Sequence, residues 1–150
     1  MNDFDFLIGT WNVTNTRLVK RLAGSDEWEE FPGRSVITRH FDGAANFDEI
    51  VFPTKGYAGL TLRIYDPATE LWSIYWASSV TGVLGLPPMV GRFEGRRGEF
   101  YADDTDEGRP VRCRFVWTVL GEDACRWEQA FSVDGEQTWE TNWIMEFARA

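Results

Sequence analysis

Short runs in which apolar and polar residues alternate fill most of the chain, and each run ends at a cluster of Gly, Pro or Asp. Alternation with a period of two predicts β-strands, and the clusters predict tight turns between them. No stretch with helical periodicity extends beyond about two turns. The pattern therefore predicts an all-β antiparallel protein.

The alternation predicts ten strands in simple up-and-down order, preceded by a short apolar helical turn from Phe4 to Ile8. The predicted strands cover residues 9–22, 27–40, 46–52, 58–65, 71–77, 89–94, 99–103, 110–120, 125–133 and 138–148. Turn residues such as Asp42-Gly43 and Asp134-Gly135 separate them.

Turn positions also predict which residues face each other across the hairpins. The turns at Asp66-Pro67 and Asp134-Gly135 predict six apolar-face pairs: Ile64–Trp72, Leu62–Ile74, Leu60–Trp76, Phe131–Trp139, Gln129–Thr141 and Trp127–Trp143. The opposite face is charged, as in a sheet that is wet on one side. Because no helix is predicted to cover the apolar face, we expect the sheet to close into one barrel domain over residues 1–150.

The first strand opens with Gly9-Thr10-Trp11. A Gly-x-Trp at this position resembles the signature of the calycins, the superfamily of lipocalins, fatty-acid-binding proteins and avidins. The resemblance implies a lipocalin-like barrel whose closed end is plugged by Trp11. It also implies that Arg149 packs over this indole as a cation–π lid.

A longer set of motifs resembles one bacterial family of unassigned function, the DUF1579-like proteins. The motifs are Phe4 to Trp11, His40-Phe41-Asp42-Gly43, Tyr65-Asp66-Pro67, Trp72 to Trp76 and Phe131 to Gly135. Ten strands in this order also resemble nitrobindins and fatty-acid-binding proteins more than eight-stranded lipocalins. The resemblance implies a calycin barrel and no settled activity.

The charge balance limits the partners that we expect. The net charge is −9, which would repel nucleic acid and anionic membranes. Neither a signal-peptide core nor a membrane span is predicted from the apolar runs. The two cysteines, Cys113 and Cys125, are offset in the predicted register, so we expect free buried thiols in a reducing cytoplasm.

The chain holds eight Trp and eleven Phe, more flat apolar surface than its length requires. A ten-stranded barrel is too wide for side chains alone to fill, so we expect a cavity. Candidate ligand-binding residues on the predicted inner face are Arg17, Trp72, Trp76, Phe115, Trp127, Gln129, Thr141 and Trp143. Most of the aromatic residues could equally form an ordinary core, and Gln129 and Thr141 could simply bond each other.

His40 is the only histidine and the natural candidate for acid–base chemistry. Asp48 and Glu49 are adjacent, so one of them should face inward. A turn centred on Lys55-Gly56 places Glu49 inside, and a slip of one residue would place Asp48 there. His40 and Glu49 are therefore the candidate catalytic pair, although His40 could also be chemically idle.

Two further features bear on a ligand. Arg17 continues the inward parity of Trp11 and could hold a carboxylate, as arginine does in fatty-acid-binding proteins, unless a bulge turns it outward. The connection over residues 78–91 is rich in Gly and Pro but apolar, which predicts a lid over the barrel or a homodimer contact.

We expect the barrel to bind a small hydrophobic, aromatic or polycyclic molecule. The alternative is a cofactor-free cyclase or isomerase that acts on such a molecule. No metal-ligand spacing or nucleotide motif is present. Haem is not expected, because nitrobindins bind it through a histidine near the last strands and this chain has none there.

Overall fold

The computed structural model describes residues 1–150 and contains a closed barrel of ten antiparallel strands. The strands are β1 (Gly9–Leu18), β2 (Trp28–His40), β3 (Ala45–Phe52), β4 (Tyr57–Asp66), β5 (Leu71–Ser78), β6 (Met89–Glu94), β7 (Arg97–Asp106), β8 (Arg109–Val119), β9 (Ala124–Ser132) and β10 (Glu140–Arg149). Each strand pairs with its neighbours in sequence, and β1 pairs with β10. The predicted fold class is confirmed, and it is consistent with a calycin-like fold.

One end of the barrel is closed by the residues before β1. A 3-10 turn at Asp5–Leu7 follows Phe4, whose ring packs against Trp72, Phe93, Phe100 and Trp117. The indole N–H of Trp11 donates to the carbonyl of Leu7 at 2.8 Å, which ties this turn to β1. The predicted N-terminal helical turn is therefore present and acts as a plug.

Arg149 covers Trp11 from outside, as the calycin resemblance implies. Its guanidinium carbon lies 4.1 Å from the indole centroid, and its nitrogens donate to the carbonyls of Phe6, Ile8 and Glu122. A Cβ on Gly9 would lie 2.7 Å from Nη1 of Arg149, and Gly9 has φ +126°. Glycine is needed here both for the backbone conformation and for the close approach of the arginine.

The predicted register of the β4–β5 hairpin is wrong by one residue. Trp72 pairs with Tyr65, Ile74 with Arg63, and Trp76 with Thr61. The turn between the strands is longer than a simple Asp-Pro turn and ends at Glu70, which has φ +59°. Because a slip of one residue exchanges the two faces, Thr61 and Arg63 point into the barrel while Leu60 is 41% exposed outside.

The predicted register of the β9–β10 hairpin is also wrong. Met145 pairs with Trp127 and Trp143 with Gln129, and the register shifts between Thr141 and Trp143. The turn is longer than Asp134-Gly135 alone, because Asp134 accepts hydrogen bonds from the backbone and hydroxyl of Thr138. Trp139 consequently stacks on Arg114, whose guanidinium carbon lies 4.4 Å from the indole centroid, rather than facing Phe131.

Both cysteines are free and buried, as predicted. Cys113 pairs with Phe131 and Cys125 with Val119 across the same two strands, which keeps the thiols apart. None of the helical segments is long and apolar enough to cross a membrane.

Candidate functional site

A cavity of about 200 Å³ lies inside the barrel and opens at the end opposite to the plug. We call these ends the open end and the closed end. The cavity is lined by 21 residues, 13 of them hydrophobic. Its two sides differ in chemistry, because the strands that form them carry different residues at their inward positions.

One side, here called the aromatic wall, comes from β8, β9 and β10. It consists of Phe115, Trp117, Trp127, Trp143, Met145 and Phe147. The rings of Phe115 and Trp127 lie 5.0 Å apart in an edge-to-face arrangement, as do those of Trp127 and Trp143 at 5.7 Å. Each ring is therefore fixed by its neighbour, and the wall presents rigid flat surfaces to the cavity.

The other side, here called the polar wall, comes from β2, β3 and β4. It consists of Ser35, Asp48, Thr61 and Arg63, all of them buried. Nη1 of Arg63 lies 2.8 Å from Oδ2 of Asp48 and donates to Oδ1 of Asn46 at 2.7 Å. Thr61 pairs with Asp48 across the two strands and its hydroxyl hydrogen-bonds the carboxylate.

The Asp48–Arg63 pair is buried to a degree that is unusual for charged groups. Burial raises the pKa of Asp48, and the charge of Arg63 and the hydrogen bonds from Arg63 and Thr61 oppose that rise. The Arg63 guanidinium carbon also lies 5.4 Å from the Phe4 ring centroid and 5.3 Å from that of Trp117. Its Nε has no hydrogen-bond partner. Isolated ionised groups are costly in such an environment, and perturbed carboxyls of this kind concentrate at functional sites.

The connection between β5 and β6 forms part of the rim of the open end. Gly85, Leu86 and Pro87 line the cavity, and the backbone N–H of Gly85 donates to the carbonyl of Trp76 at 2.8 Å. The side chain of Leu86 is 71% exposed. The part of the predicted 78–91 connection that reaches the cavity is therefore residues 85–87 and Met89.

Five of the predicted ligand-binding residues line the cavity: Trp76, Phe115, Trp127, Gln129 and Trp143. Trp72 does not, because its indole belongs to the closed end and donates to Asp3 at 3.0 Å. Thr141 does not either. It pairs with Ala130 above the register shift, and the Gln129 amide donates instead to Asn142 at 2.8 Å.

The predicted catalytic pair of His40 and Glu49 is not assembled. Both residues are exposed, and His40 hydrogen-bonds Thr38 at 2.8 Å between Oγ1 and Nε2. Glu49 pairs with Leu60 on the outer face, so the prediction that it faces inward is wrong. The alternative direction is the observed one, because the β3–β4 register places Asp48 inside with Thr61.

Arg17 lies beside the cavity without lining it. Its Nε and Nη2 donate to Oε1 of Glu29 at 3.1 and 2.8 Å, and Nη1 donates to the Tyr57 hydroxyl at 3.1 Å. The guanidinium also stacks within 4.8 Å of the ring centroids of Phe31 and Trp143. An arginine with these partners already has its counterion, so it is poorly suited to hold a ligand carboxylate.

Sequence reasoning missed the polar wall because the pattern of β4 suggests the opposite orientation. Apolar residues at 60, 62 and 64 alternate with Thr61 and Arg63, yet the apolar set faces outward. One available signal was Gly59. A Cβ there would lie 1.9 Å from the Trp76 ring, so the glycine has the inward parity of Thr61 and Arg63 and leaves room for the indole.

The structure brings together no group of three His, Cys, Asp or Glu residues that could hold a metal ion. Neither a family model nor a curated protein matches the chain.

Proposed function

We propose that the barrel binds a small, uncharged, largely apolar molecule with one or two fused rings. The observation that carries this proposal is the aromatic wall facing an open cavity. Ligand sites are typically apolar clefts with a few fixed polar groups, and the lining of this cavity has that composition. Membership of the DUF1579-like family is likewise a proposal, supported by the motifs alone, and it implies no particular activity.

The volume of the cavity limits the size of the ligand. An apolar cavity of about 150 Å³ holds a benzene molecule. A cavity of about 200 Å³ therefore suits one ring with a substituent, or two fused rings. Larger polycyclic molecules would need the rim at residues 85–87 to move.

A second candidate is a proton-transfer reaction, such as an isomerisation, on a bound molecule of this kind. The observation that favours it is Asp48, a carboxyl whose pKa is raised by burial and which lines the cavity. A buried carboxyl that lines a cavity can give a proton to a bound molecule or take one from it, as a general acid or base does. In this candidate function Asp48 takes the role that the sequence suggested for His40 and Glu49.

Tryptophan fluorescence tests the binding proposal, because Trp76, Trp117, Trp127 and Trp143 line the cavity. Titration with benzene, naphthalene and anthracene should show saturable quenching by naphthalene and none by anthracene. Ala102→Phe fills the cavity and should abolish the quenching. Ala77→Phe is the matched control, since Ala77 pairs with the exposed Leu60 on the outer face. Absence of quenching by every compound would contradict the proposal.

A further inference from the structure

We propose that the ligand carries a hydrogen-bond donor, such as a ring hydroxyl or amino group, and that the carboxylate of Asp48 accepts it. This inference rests on the proposed binding function and specifies the polar group of the ligand. It follows from the order in which the polar groups are stacked along the barrel axis and from the bonds that each of them already makes.

The register of β3 and β4 gives the order of the polar groups. Asn46 pairs with Arg63, and Asp48 pairs with Thr61 two residues nearer to the open end. A molecule that enters from the open end therefore meets Asp48 and Thr61 before Arg63. Arg63 also lines the cavity, one strand pair nearer to the closed end.

Arg63 already has an anionic partner in Asp48, although its Nε makes no hydrogen bond. Its Nη1 is shared between Asp48 and Asn46, and its guanidinium faces the rings of Phe4 and Trp117. The ion pair with Asp48 also cancels its charge. Because the whole chain carries a net charge of −9, an anionic ligand would gain little from this site.

Asp48 keeps hydrogen-bonding capacity after its contacts within the chain. Its partners are Arg63 and the Thr61 hydroxyl, whereas two carboxylate oxygens offer about four acceptor sites. The side chain lines the cavity, so the remaining sites are available to a ligand. An acceptor in this position selects for a donor and discriminates against a molecule without one.

The aromatic wall stands opposite this acceptor. In the closed order of strands, β8 is the fifth strand from β3 in both directions, so Asp48 faces the strand that carries Phe115 and Trp117. A ring packed against the aromatic wall can therefore direct one substituent at Asp48. The cavity thus fits a flat molecule with a donor at one edge.

The experiment measures quenching of tryptophan fluorescence by four probes: 2-naphthol, naphthalene, 2-methoxynaphthalene and 2-naphthoate. Naphthalene is smaller than 2-naphthol and 2-methoxynaphthalene is larger, so a steady trend with size cannot rank 2-naphthol first. The variants are Asp48→Asn and Glu49→Gln. The second is the matched control, because it removes the same charge from the adjacent residue on the outer face. Circular dichroism establishes that each variant is folded.

We expect the wild-type chain to bind 2-naphthol about ten- to a hundredfold more tightly than the other three probes, the range for a hydrogen bond to a charged group. Asp48→Asn should remove most of this preference, and Glu49→Gln should keep it. Equal binding of 2-naphthol, naphthalene and 2-methoxynaphthalene would overturn the donor inference while leaving the proposed binding function intact. Preferential binding of 2-naphthoate, or a preference unchanged in Asp48→Asn, would overturn it as well.

Failure of all four probes to bind would overturn the proposed function together with this inference. If Asp48→Asn does not fold, the ranking of the four probes on the wild-type chain still tests whether the ligand needs a hydrogen-bond donor. A ranking in which 2-naphthol is not first contradicts the inference without any variant.

Discussion

Asp48 and Arg63 form an ion pair of 2.8 Å across neighbouring strands, and the exposed fraction of each side chain is 5%. Such a pair contributes little net stability, because the desolvation of both charges offsets their attraction. Apolar residues could fill the same space. The presence of the pair is therefore better explained by a role in the cavity, which both residues line, than by the stability of the barrel.

Replacing Arg63 with Met should destabilise the barrel by about 3–5 kcal/mol at neutral pH, since it leaves a buried carboxylate without its counterion. The loss should depend on pH. Burial raises the folded-state pKa of Asp48 above its ordinary value of 3.8, and removal of Arg63 raises this pKa further. An acid whose pKa is higher in the folded state than in the unfolded state favours folding at low pH. This contribution is lost as the pH rises from the unfolded-state pKa to the folded-state pKa.

The difference in free energy of unfolding between wild type and Arg63→Met should thus be smallest near pH 4 and grow towards neutral pH. Urea unfolding at several pH values measures it. Arg97→Met is the control, because the Arg97–Glu99 pair is exposed and such pairs contribute about 0–1 kcal/mol. A difference that does not change with pH would show that Asp48 is not coupled to Arg63.

The thiol of Cys125 should react slowly in the folded protein. Burial raises its pKa from 9.0 to about 12, so the thiolate fraction at pH 8 falls roughly a thousandfold. Iodoacetamide labelling followed by mass spectrometry should modify Cys125 only after denaturation. Rapid labelling of the native protein would contradict the buried position of this residue.

Replacing Arg149 with Met should destabilise the barrel by about 2–4 kcal/mol, since it removes charged hydrogen bonds to backbone carbonyls and the contact with Trp11. Arg149→Lys should recover only part of the loss, because an ammonium group cannot reach the same set of carbonyls with a planar fork. Thermal unfolding monitored by circular dichroism gives the comparison. Full recovery by Lys would show that charge alone matters.

Replacing Gly59 with Ala should displace the Trp76 indole, because the new Cβ would lie 1.9 Å from the ring. We expect a destabilisation of about 1–3 kcal/mol and a shift of tryptophan emission. Gly121→Ala is the control, since nothing lies within 4 Å of its Cβ position. An unchanged emission spectrum in Gly59→Ala would indicate that the indole has room to spare.

The fold could be predicted from sequence because strand number and order depend on local signals. Alternation and turn residues suffice to count ten strands, and Gly9 with Trp11 marks the closed end. The aromatic wall was also largely predictable, since Phe115, Trp127 and Trp143 have inward parity in either register of β10. A prediction that misjudges the length of a turn by two residues still assigns these side chains to the correct face of the sheet.

The polar wall could not be predicted, because a shift of one residue in the strand register exchanges the residues that face inward with those that face outward. Whether Asp48 or Glu49 faces inward, and whether Arg63 or Leu62 does, is decided by loop lengths and by single residues with positive φ such as Glu70. In β4 the apolar residues, Leu60 among them, lie on the outer face, so the pattern predicts the opposite orientation of the strand. Within β4 only Gly59, which has the parity of Thr61 and Arg63, is a sign of the true orientation.

The pairing of β1 with β10 has a consequence for the order of folding. The bond between Arg149 and the Ile8 carbonyl joins residues 141 positions apart, and contacts of this kind form slowly because a long loop must be ordered first. Trp143, Met145 and Phe147 all belong to β10. During synthesis the aromatic wall is therefore completed only after the other nine strands have been made. Until then the open edges of the sheet are available to pair with another chain.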